Sequence, residues 1–394
     1  MATIMVNGVL RTDLVLANKV KVDMQPEIDL LDDQPNIFEL ITRQVKKVYT
    51  AENTLAEWIE QRLSPAIMVV TGVDAPGTTI TVDNPGYAHR NQRIYNTVTK
   101  EWYLMNEDIG GTTTPGKITV VNQQAGTGNF VTATAVGQIL WIGPETHAEG
   151  AAIPPSYAAQ PTHLFTYIFQ SDRTRQNTDM QRYQGEYGLN QMLIDRKTFW
   201  IEYCRAVNMD LYFSDQTREV ASDSTGARRH AMNGMINQIS TNFINYDAVP
   251  GNLTLPSIGE LMRRCTSHTS SSQVKIGIGG QNAIEAISAM PVNAIRTTVN
   301  ETEWGKNLKT IVTPFKNLNF AYDQMLSADY GTADIMVVLD PNHIQRCQIR
   351  GLERHMLLNV ENNNDIHNQI DVITGTDGLM VKLEENHAWA YNIH

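Results

Sequence analysis

The sequence predicts an α+β fold, because stretches of clearly different character follow one another along its 394 residues. Residues 72–150 hold 11 of the 26 glycines, and short strand-like runs alternate there with turn residues. A long amphipathic helix is predicted over about 189–213, and helical and strand patterns alternate from about residue 255. At roughly 150 residues per domain, the chain is expected to form two or three domains.

Composition and net charge limit the classes of function that the protein can have. The chain has 31 Lys and Arg against 42 Asp and Glu, which gives a formal net charge of −11. It therefore lacks the bulk positive charge with which proteins bind nucleic-acid backbones. Its 38 Thr and 32 Asn favour strands and turns, respectively, over helix interiors.

Cysteine spacing and hydropathy indicate the cellular compartment in which the protein is found. Cys204, Cys265 and Cys347 are too few and too widely spaced for a disulfide framework. The first ten residues lack the pattern of a secretory signal, and no apolar run approaches 18 residues. We therefore expect a protein of a reducing cytoplasm with no membrane partner.

Residues 72–150 are interpreted as an antiparallel β insertion of roughly 80 residues. Strands are expected at 79–82, 93–98, 117–121 and 138–142. Short strands in a two-stranded ribbon are marginally stable in water. The insertion is therefore expected to be mobile in a monomer and ordered only against a neighbouring subunit.

The predicted helix at about 189–213 would be ~37 Å long. Its apolar side chains recur at intervals of three or four and place Trp200 and Leu211 toward the core. The apolar stripe consists of Leu189, Met192, Leu193, Trp200, Tyr203, Cys204, Val207 and Leu211.

The remaining chain predicts mixed α/β structure. Helices are expected at 256–267 and 281–289, and strands at 274–278, 309–313 and 335–339. The segment 369–393 is expected to alternate strands around a turn at Gly375–Gly378.

Two glycine-rich strings come nearest to nucleotide-binding motifs. Gly111–Lys117 has the spacing of a phosphate-binding loop, but Ile118 replaces the Ser or Thr that ligates magnesium, and a strand is expected to follow. Gly277–Asn282 lies between a predicted strand and helix, but it lacks the third glycine of a dinucleotide fingerprint, and no parallel partner strand is evident. Both strings are interpreted as turns.

Other sets of candidate catalytic or ligand-binding residues are also incomplete. A zinc quartet of Cys265, His268, His343 and Cys347 is arithmetically possible, but a gap of 74 residues separates the two pairs. The loop around Glu145–Glu149 is expected to be solvated, and no nucleophile elbow occurs. The six Trp are dispersed, so no aromatic platform is indicated; they are Trp58, Trp102, Trp141, Trp200, Trp304 and Trp389. We predict no catalytic, cofactor-binding or metal-binding residues.

The order of elements, together with several local strings, resembles the major capsid proteins of tailed bacteriophages with the Hong Kong 97-type fold. The likeness extends over nearly the whole chain from about residue 35. The strings are Glu57–Glu60, Gly137–Leu140, Ala148–Gly150, Thr166–Gln170, Glu202–Phe213 and Met232–Ile236.

This resemblance implies a domain plan: an N-terminal arm (1–50), an extended loop with the β insertion (51–170), a peripheral domain with the spine helix (171–254), an axial domain (255–345), and a return to the peripheral domain (346–394). It also implies self-assembly into hexamers and pentamers of an icosahedral head. That head would enclose double-stranded DNA without binding it specifically, and would be built in the host bacterial cytoplasm.

Portal, scaffold or decoration proteins are further partners that the resemblance implies. Some relatives form a Lys–Asn crosslink between subunits, but the surroundings of Lys100 and Lys117 single out neither residue. Two alternatives stay open at this point. One is an α/β enzyme that uses one of the two glycine-rich strings, and the other is a phage accessory protein that binds a glycan.

Overall fold

The computed structural model describes residues 38, 41–42, 48–63, 66–106, 116–122, 132–147, 149–150, 160–178, 180, 191–216, 218–220, 228–248, 253–290, 302–303, 306–307, 309–361 and 368–393. Most of the predicted N-terminal arm (1–50) therefore lies outside the described residues, as does the loop at 107–115. The chain divides into two compact units, the first made of residues 1–58 and 164–394 and the second of residues 59–163.

Two strands near the unit boundaries pair with each other. They are β2 (Leu55–Glu60) and β9 (Thr162–Tyr167), and they contain the two points at which the chain passes from one unit to the other.

The second unit is a six-stranded antiparallel sheet in the spatial order β3-β8-β5-β6-β7-β4. Its strands are β3 (Ile67–Val69), β4 (Thr79–Thr81), β5 (Gln92–Asn96), β6 (Trp102–Met105), β7 (Lys117–Asn122) and β8 (Ile139–Glu145). A bridge between Val70 and Val82 joins the two outer strands, and the Asp83 amide donates to the Val69 carbonyl at 3.0 Å. These contacts close the sheet into a small barrel.

Alternate side chains of every barrel strand point inward and fill it. The interior consists of Met68, Val70, Ile80, Val82, Ala88, Ile94, Tyr103, Met105, Ile118, Val120 and Leu140, each at most 2% exposed. The expectation of a two-stranded ribbon without a core of its own is therefore wrong, because closure supplies a core within the unit.

The first unit contains a sheet centred on the long strand β22. Its strands are β1 (Tyr49–Ala51), β10 (Phe169–Thr178), β20 (Ile344–Ile349), β21 (His355–Glu361) and β22 (Asn368–Val381). Strand β10 pairs with β22 over ten residue pairs, and β20 and β21 also pair with β22. The turn predicted at Gly375–Gly378 is wrong, since these residues continue β22 in hydrogen-bonded register.

Helix α1 (Gln191–Phe213) packs against this sheet where the sequence predicts a helix at about 189–213. Its buried residues recur at helical spacing and meet Ile373 and Leu379 of β22. They include Phe199, Tyr203, Cys204, Val207, Leu211 and Tyr212. Leu211 is fully buried as predicted, whereas Trp200 is only partly buried and Phe199 takes the deeper position.

A second sheet of the first unit has the order β13-β23-β19-β14-β18-β17. Its strands are β13 (Phe243–Asn245), β14 (Val274–Gly279), β17 (Lys309–Val312), β18 (Asn317–Tyr322), β19 (Met336–Leu339) and β23 (Ala388–Tyr391). Helices α3 (Leu255–Cys265) and α4 (Gln281–Ser288) share one apolar cluster with it. Four of these strands and both helices fall in the predicted axial range 255–345, and β13 and β23 come from outside it.

The remaining elements of the described chain are short. The strands are β11 (Arg218–Val220) paired with β12 (Arg228–His230) and β15 (Thr302–Glu303) paired with β16 (Lys306–Asn307), and the remaining α-helix is α2 (Met235–Gln238). Single-turn 3-10 helices lie at Pro85–Tyr87, Tyr246–Ala248, Ala328–Tyr330 and Glu384–Asn386.

Candidate assembly surfaces

The Gly111–Lys117 string leads into a strand and not into a helix. Residues 111–115 lie outside the described part of the chain, but Lys117 begins β7, and its Nζ lies 3.7 Å from an Asp74 carboxylate oxygen. Ile118, the residue at the magnesium-ligand position of the motif, is fully buried in the barrel. The described residues of this string therefore begin a strand and supply no helix N-terminus for a phosphate.

Gly277–Asn282 does have a parallel neighbour, contrary to the sequence-based expectation, because β14 pairs in parallel with β18. However, a Cβ added at Gly279 would lie 2.4 Å from the Phe320 ring, and one at Gly280 would lie 2.3 Å from the Ala333 carbonyl oxygen. The amide of Asn282 already donates to that same carbonyl. The glycines thus permit close packing within the protein and leave no cradle for a phosphate.

The four candidate zinc ligands are not brought together. Cys265 belongs to the cluster around α3 and Cys347 to a different cluster beside β1. Burial raises the pKa of each thiol to about 12, which disfavours the thiolate that zinc requires. Within the described residues, no group of three or more His, Cys, Asp or Glu side chains is placed to hold a metal ion.

Glu145 and His147 form a partly exposed pair at 3.4 Å, near the end of a barrel strand. Glu149 is exposed. The prediction of a solvated polar loop fits these positions. In the described part of the chain, no helix is both long and apolar enough to cross a membrane.

Beneath α1, a buried carboxylate joins two arginines. Asp377 on β22 accepts from Arg346 Nε at 2.8 Å and from Arg354 Nη2 at 2.8 Å, and both side chains are at most 1% exposed. Burial alone would raise the pKa of Asp377, but the two guanidinium groups hold it below its ordinary value. The arginines therefore fasten β20 and the segment before β21 to the central strand.

The second sheet contains a separate buried ion pair. Lys275 Nζ donates to Asp340 at 2.6 Å and to the Asn386 carbonyl at 2.9 Å, and both charged side chains are fully buried. His387 Nδ1 accepts from the Asp340 amide at 3.2 Å. Burial, with the nearby charge of Lys275, lowers the pKa of His387 to about 3, so the imidazole is neutral. His343 Nδ1 also lies 3.2 Å from an Asp340 carboxylate oxygen, and its side chain is 18% exposed, so the network joins the sheet to the segment after β19 and reaches the surface at His343.

A third buried carboxylate, that of Asp323, holds Phe38. Asp323 accepts from the Phe38 amide at 3.2 Å and from the Tyr212 hydroxyl at 2.9 Å. The Phe38 ring stacks on Tyr212 with centroids 4.3 Å apart. Burial raises the pKa of Asp323. The contacts join residue 38 to the end of α1 and to the segment after β18.

Exposed apolar side chains are the features most suited to assembly. One group, which we call the aromatic row, runs across the outside of the barrel through Ile67, Trp141, Tyr95 and Trp102. Ile67 and Trp141 are exposed, and Tyr95 and Trp102 are half-buried. These residues are register partners on four adjacent strands. The Tyr95 ring lies 4.7 Å from Trp102 and 5.9 Å from Trp141, and the Arg93 guanidinium lies 4.3 Å from the Trp102 ring centroid. The expectation of dispersed tryptophans without a platform is thus wrong for Trp102 and Trp141.

Apolar side chains are also exposed in and just before β21, at Leu352, Leu357, Leu358 and Val360. Their exposed fractions range from 37% to 48%, and the pairing of β21 with β22 shifts register between Leu357 and Val360. Single exposed apolar residues are ordinary, whereas contiguous clusters mark interaction sites. Sequence reasoning missed the aromatic row because it depends on how four strands pair.

Comparison with known proteins identifies a family that matches nearly the whole chain. A family model described as SU10 major capsid protein matches residues 8–394. No curated protein matches the sequence.

Among solved structures, the capsid of the cyanophage P-SCSP1u is similar with a TM-score of 0.49 and 9% identity, over 95% of this chain and 93% of that one. Structures of Microbacterium phage Oxtober96 (TM-score 0.49, 7% identity, 95% and 96% of the two chains) and Mycobacterium phage Bobi (0.49, 6%, 96% and 97%) are similar to a comparable extent.

Proposed function

Because the chain belongs to the SU10 major capsid protein family, we propose that it closes into hexamers and pentamers of an icosahedral phage head. It is a major capsid protein and thus a structural component of the virion, and its predicted α+β, Hong Kong 97-type fold is confirmed. The observation that carries the proposal is the family match over residues 8–394, which includes both compact units.

We further propose that the subunit has no enzymatic activity. Support comes from the glycine-rich strings: Ile118 is buried in the barrel, and Phe320 and Ala333 occupy the space beside the glycines of Gly277–Asn282. Neither the enzyme nor the glycan-binding alternative is favoured by the family match.

The shell would be assembled in the host cytoplasm and would enclose double-stranded DNA without specific binding. The net charge of −11 supports this proposal, because a negatively charged wall does not hold densely packed DNA tightly. Portal, scaffold and decoration proteins would be further partners.

Sedimentation and electron microscopy of the purified full chain test this proposal. We expect closed shells or rings that sediment far ahead of a 44.1 kDa monomer under some condition of salt or concentration. Folded monomer alone across broad ranges of salt, pH and concentration would contradict it. Isothermal titration with ATP should show no tight binding; micromolar affinity that Lys117→Ala abolishes would support an enzyme instead.

A further inference from the structure

Asp323 differs from Asp340 and Asp377 in its partners. Asp340 and Asp377 are paired with buried cations. Asp323 is also fully buried, but it forms no ion pair with any residue that the structure describes. Burial without a cation disfavours the charged form of a carboxyl group. The surroundings of Asp323 therefore favour its protonated, neutral form.

The groups that contact the Asp323 carboxylate are uncharged donors. Its Oδ1 accepts from the Met325 amide at 3.0 Å. Its Oδ2 accepts from the Phe38 amide at 3.2 Å and from the Tyr212 hydroxyl at 2.9 Å. The side-chain amide of Asn208 lies farther away, with Nδ2 at 3.5 Å from the same oxygen. These dipoles stabilise a carboxylate less than a cation would.

The titratable groups near Asp323 in the described chain supply no positive charge either. Burial, together with the Asp323 carboxylate, holds the pKa of Tyr212 well above its ordinary value of 10. Burial also raises the pKa of Tyr322, with further contributions from Asp323 and Asp329. Both phenols therefore stay neutral, and Asp329 adds a second negative charge.

An unpaired acceptor lies beside the carboxylate. Asn208 is fully buried, and its Oδ1 has no hydrogen-bond partner among the described residues. A half turn of this side-chain amide would bring the oxygen to Asp323, where a protonated carboxyl would donate to it. An ionised carboxylate has no proton to donate. A proton on Asp323 would thus satisfy a buried acceptor that otherwise costs free energy.

Phe38 covers this site from a distant part of the chain, 285 residues away from Asp323. Its side chain is fully buried, and its ring stacks on Tyr212 with centroids 4.3 Å apart. Departure of Phe38 would open the position beside Oδ2 to water. Water solvates a charged carboxylate better than one amide and an aromatic ring do. Docking of Phe38 therefore opposes the ionised form of Asp323.

We infer that Phe38 and Asp323 form a pH-sensitive latch, in which docking of Phe38 takes up a proton at Asp323 and becomes weaker as the pH rises. Burial raises the pKa of Asp323 above its ordinary value of 3.8. Docking is consequently firmest at low pH and weakens as the pH rises through this raised pKa, by at most about tenfold per pH unit. The latch goes beyond the proposed function and does not depend on it, because all of its groups lie in one unit of one chain.

Hydrogen exchange of the full chain between pH 4 and pH 9, corrected for the intrinsic rate, tests the latch. The Phe38 amide itself donates to Asp323, so its protection measures docking. We expect this protection to fall at least tenfold from low to high pH, while the amides of Tyr203 and Val207 in α1 show no such fall. A flat profile at Phe38, a rise with pH, or an equal fall in α1 would overturn the inference.

A matched pair of variants assigns the pH dependence to one carboxyl group. Asp323→Asn has no proton to gain or lose, and we expect its protection at Phe38 to be the same at both ends of the pH range. Asp172→Asn, at an exposed position of β10, should keep the wild-type profile. A wild-type profile in Asp323→Asn would overturn the inference. If Asp323→Asn does not fold, the comparison of Phe38 with α1 in the wild type decides the question.

Discussion

The barrel and the β22 sheet differ in how they bury polar groups. In the barrel, the buried carboxylate of Glu101 accepts from neutral donors, the Tyr103 hydroxyl at 2.8 Å and the Thr132 hydroxyl at 2.9 Å. In the β22 sheet, Asp377 is held by two buried arginines. The first carboxylate is held by neutral donors and the second by two opposite charges, so loss of Asp377 would leave two buried cations without their shared partner.

This difference predicts that removal of Asp377 has the largest effect on stability. Asp377→Ala would leave Arg346 and Arg354 buried without their shared carboxylate, and we expect a loss of about 3–5 kcal/mol in the free energy of unfolding. Denaturant unfolding of the full chain measures the loss. The control is Asp172→Ala at an exposed position of β10, which should change stability by less than about 0.5 kcal/mol. Equal effects of the two variants would contradict the role of the buried pair.

In the barrel, the most damaging changes should be losses of apolar volume. Ile94→Ala removes a fully buried side chain from the barrel interior, and we expect a cost of about 2–5 kcal/mol through lost burial and a cavity. Val98→Ala, at a position that is 61% exposed, is the control and should be nearly neutral. Hydrogen exchange in the barrel strands measures the free energy of unfolding of the barrel in both variants.

The local pattern of the sequence predicts where the barrel strands lie better than it predicts which strands pair with one another. Strands expected at 79–82 and 117–121 lie in β4 and β7, because alternation of apolar residues is a property of each segment alone. Closure of the barrel depends on the pairing of Val70 with Val82, which no local pattern encodes. The β insertion was therefore predicted as a ribbon, although its residues build a core.

The same limit explains the errors in the first unit and in the assembly surfaces. Gly375–Gly378 has turn composition, but pairing with β10 and β20 keeps it extended. The aromatic row requires Ile67, Tyr95, Trp102 and Trp141 to fall in register on four strands. Residue spacing along the chain carries no signal for such a row, whereas the stripe of α1 repeats within one helix.

Acid should weaken the first unit through His387. The pKa of this buried imidazole is lowered to about 3 from an ordinary value of 6.5, so the unfolded chain binds a proton that the folded chain rejects. The contribution of neutral His387 to the free energy of unfolding is fully present above pH 6.5 and is lost as the pH falls toward 3. The free energy of unfolding then falls by at most about 1.4 kcal/mol per pH unit. His387→Asn should reduce this slope in denaturant titrations, and His355→Asn, at an exposed position, should not. An unchanged slope in His387→Asn would show that other groups cause the acid sensitivity.

The smallest expected effect is that of each unit on the other. The chain passes between the units only at Trp58–Ile59 and at His163–Leu164, and each unit has apolar clusters of its own. We therefore expect Ile94→Ala to change exchange protection in α1 by less than about 0.5 kcal/mol, and Asp377→Ala to change that of β5 and β6 equally little. Hydrogen exchange of the full-length monomer, resolved by peptide, measures both effects in one sample. A loss of protection in α1 that matches the loss in the barrel would show that the two units unfold together. The barrel's closed interior would then be insufficient for independent stability.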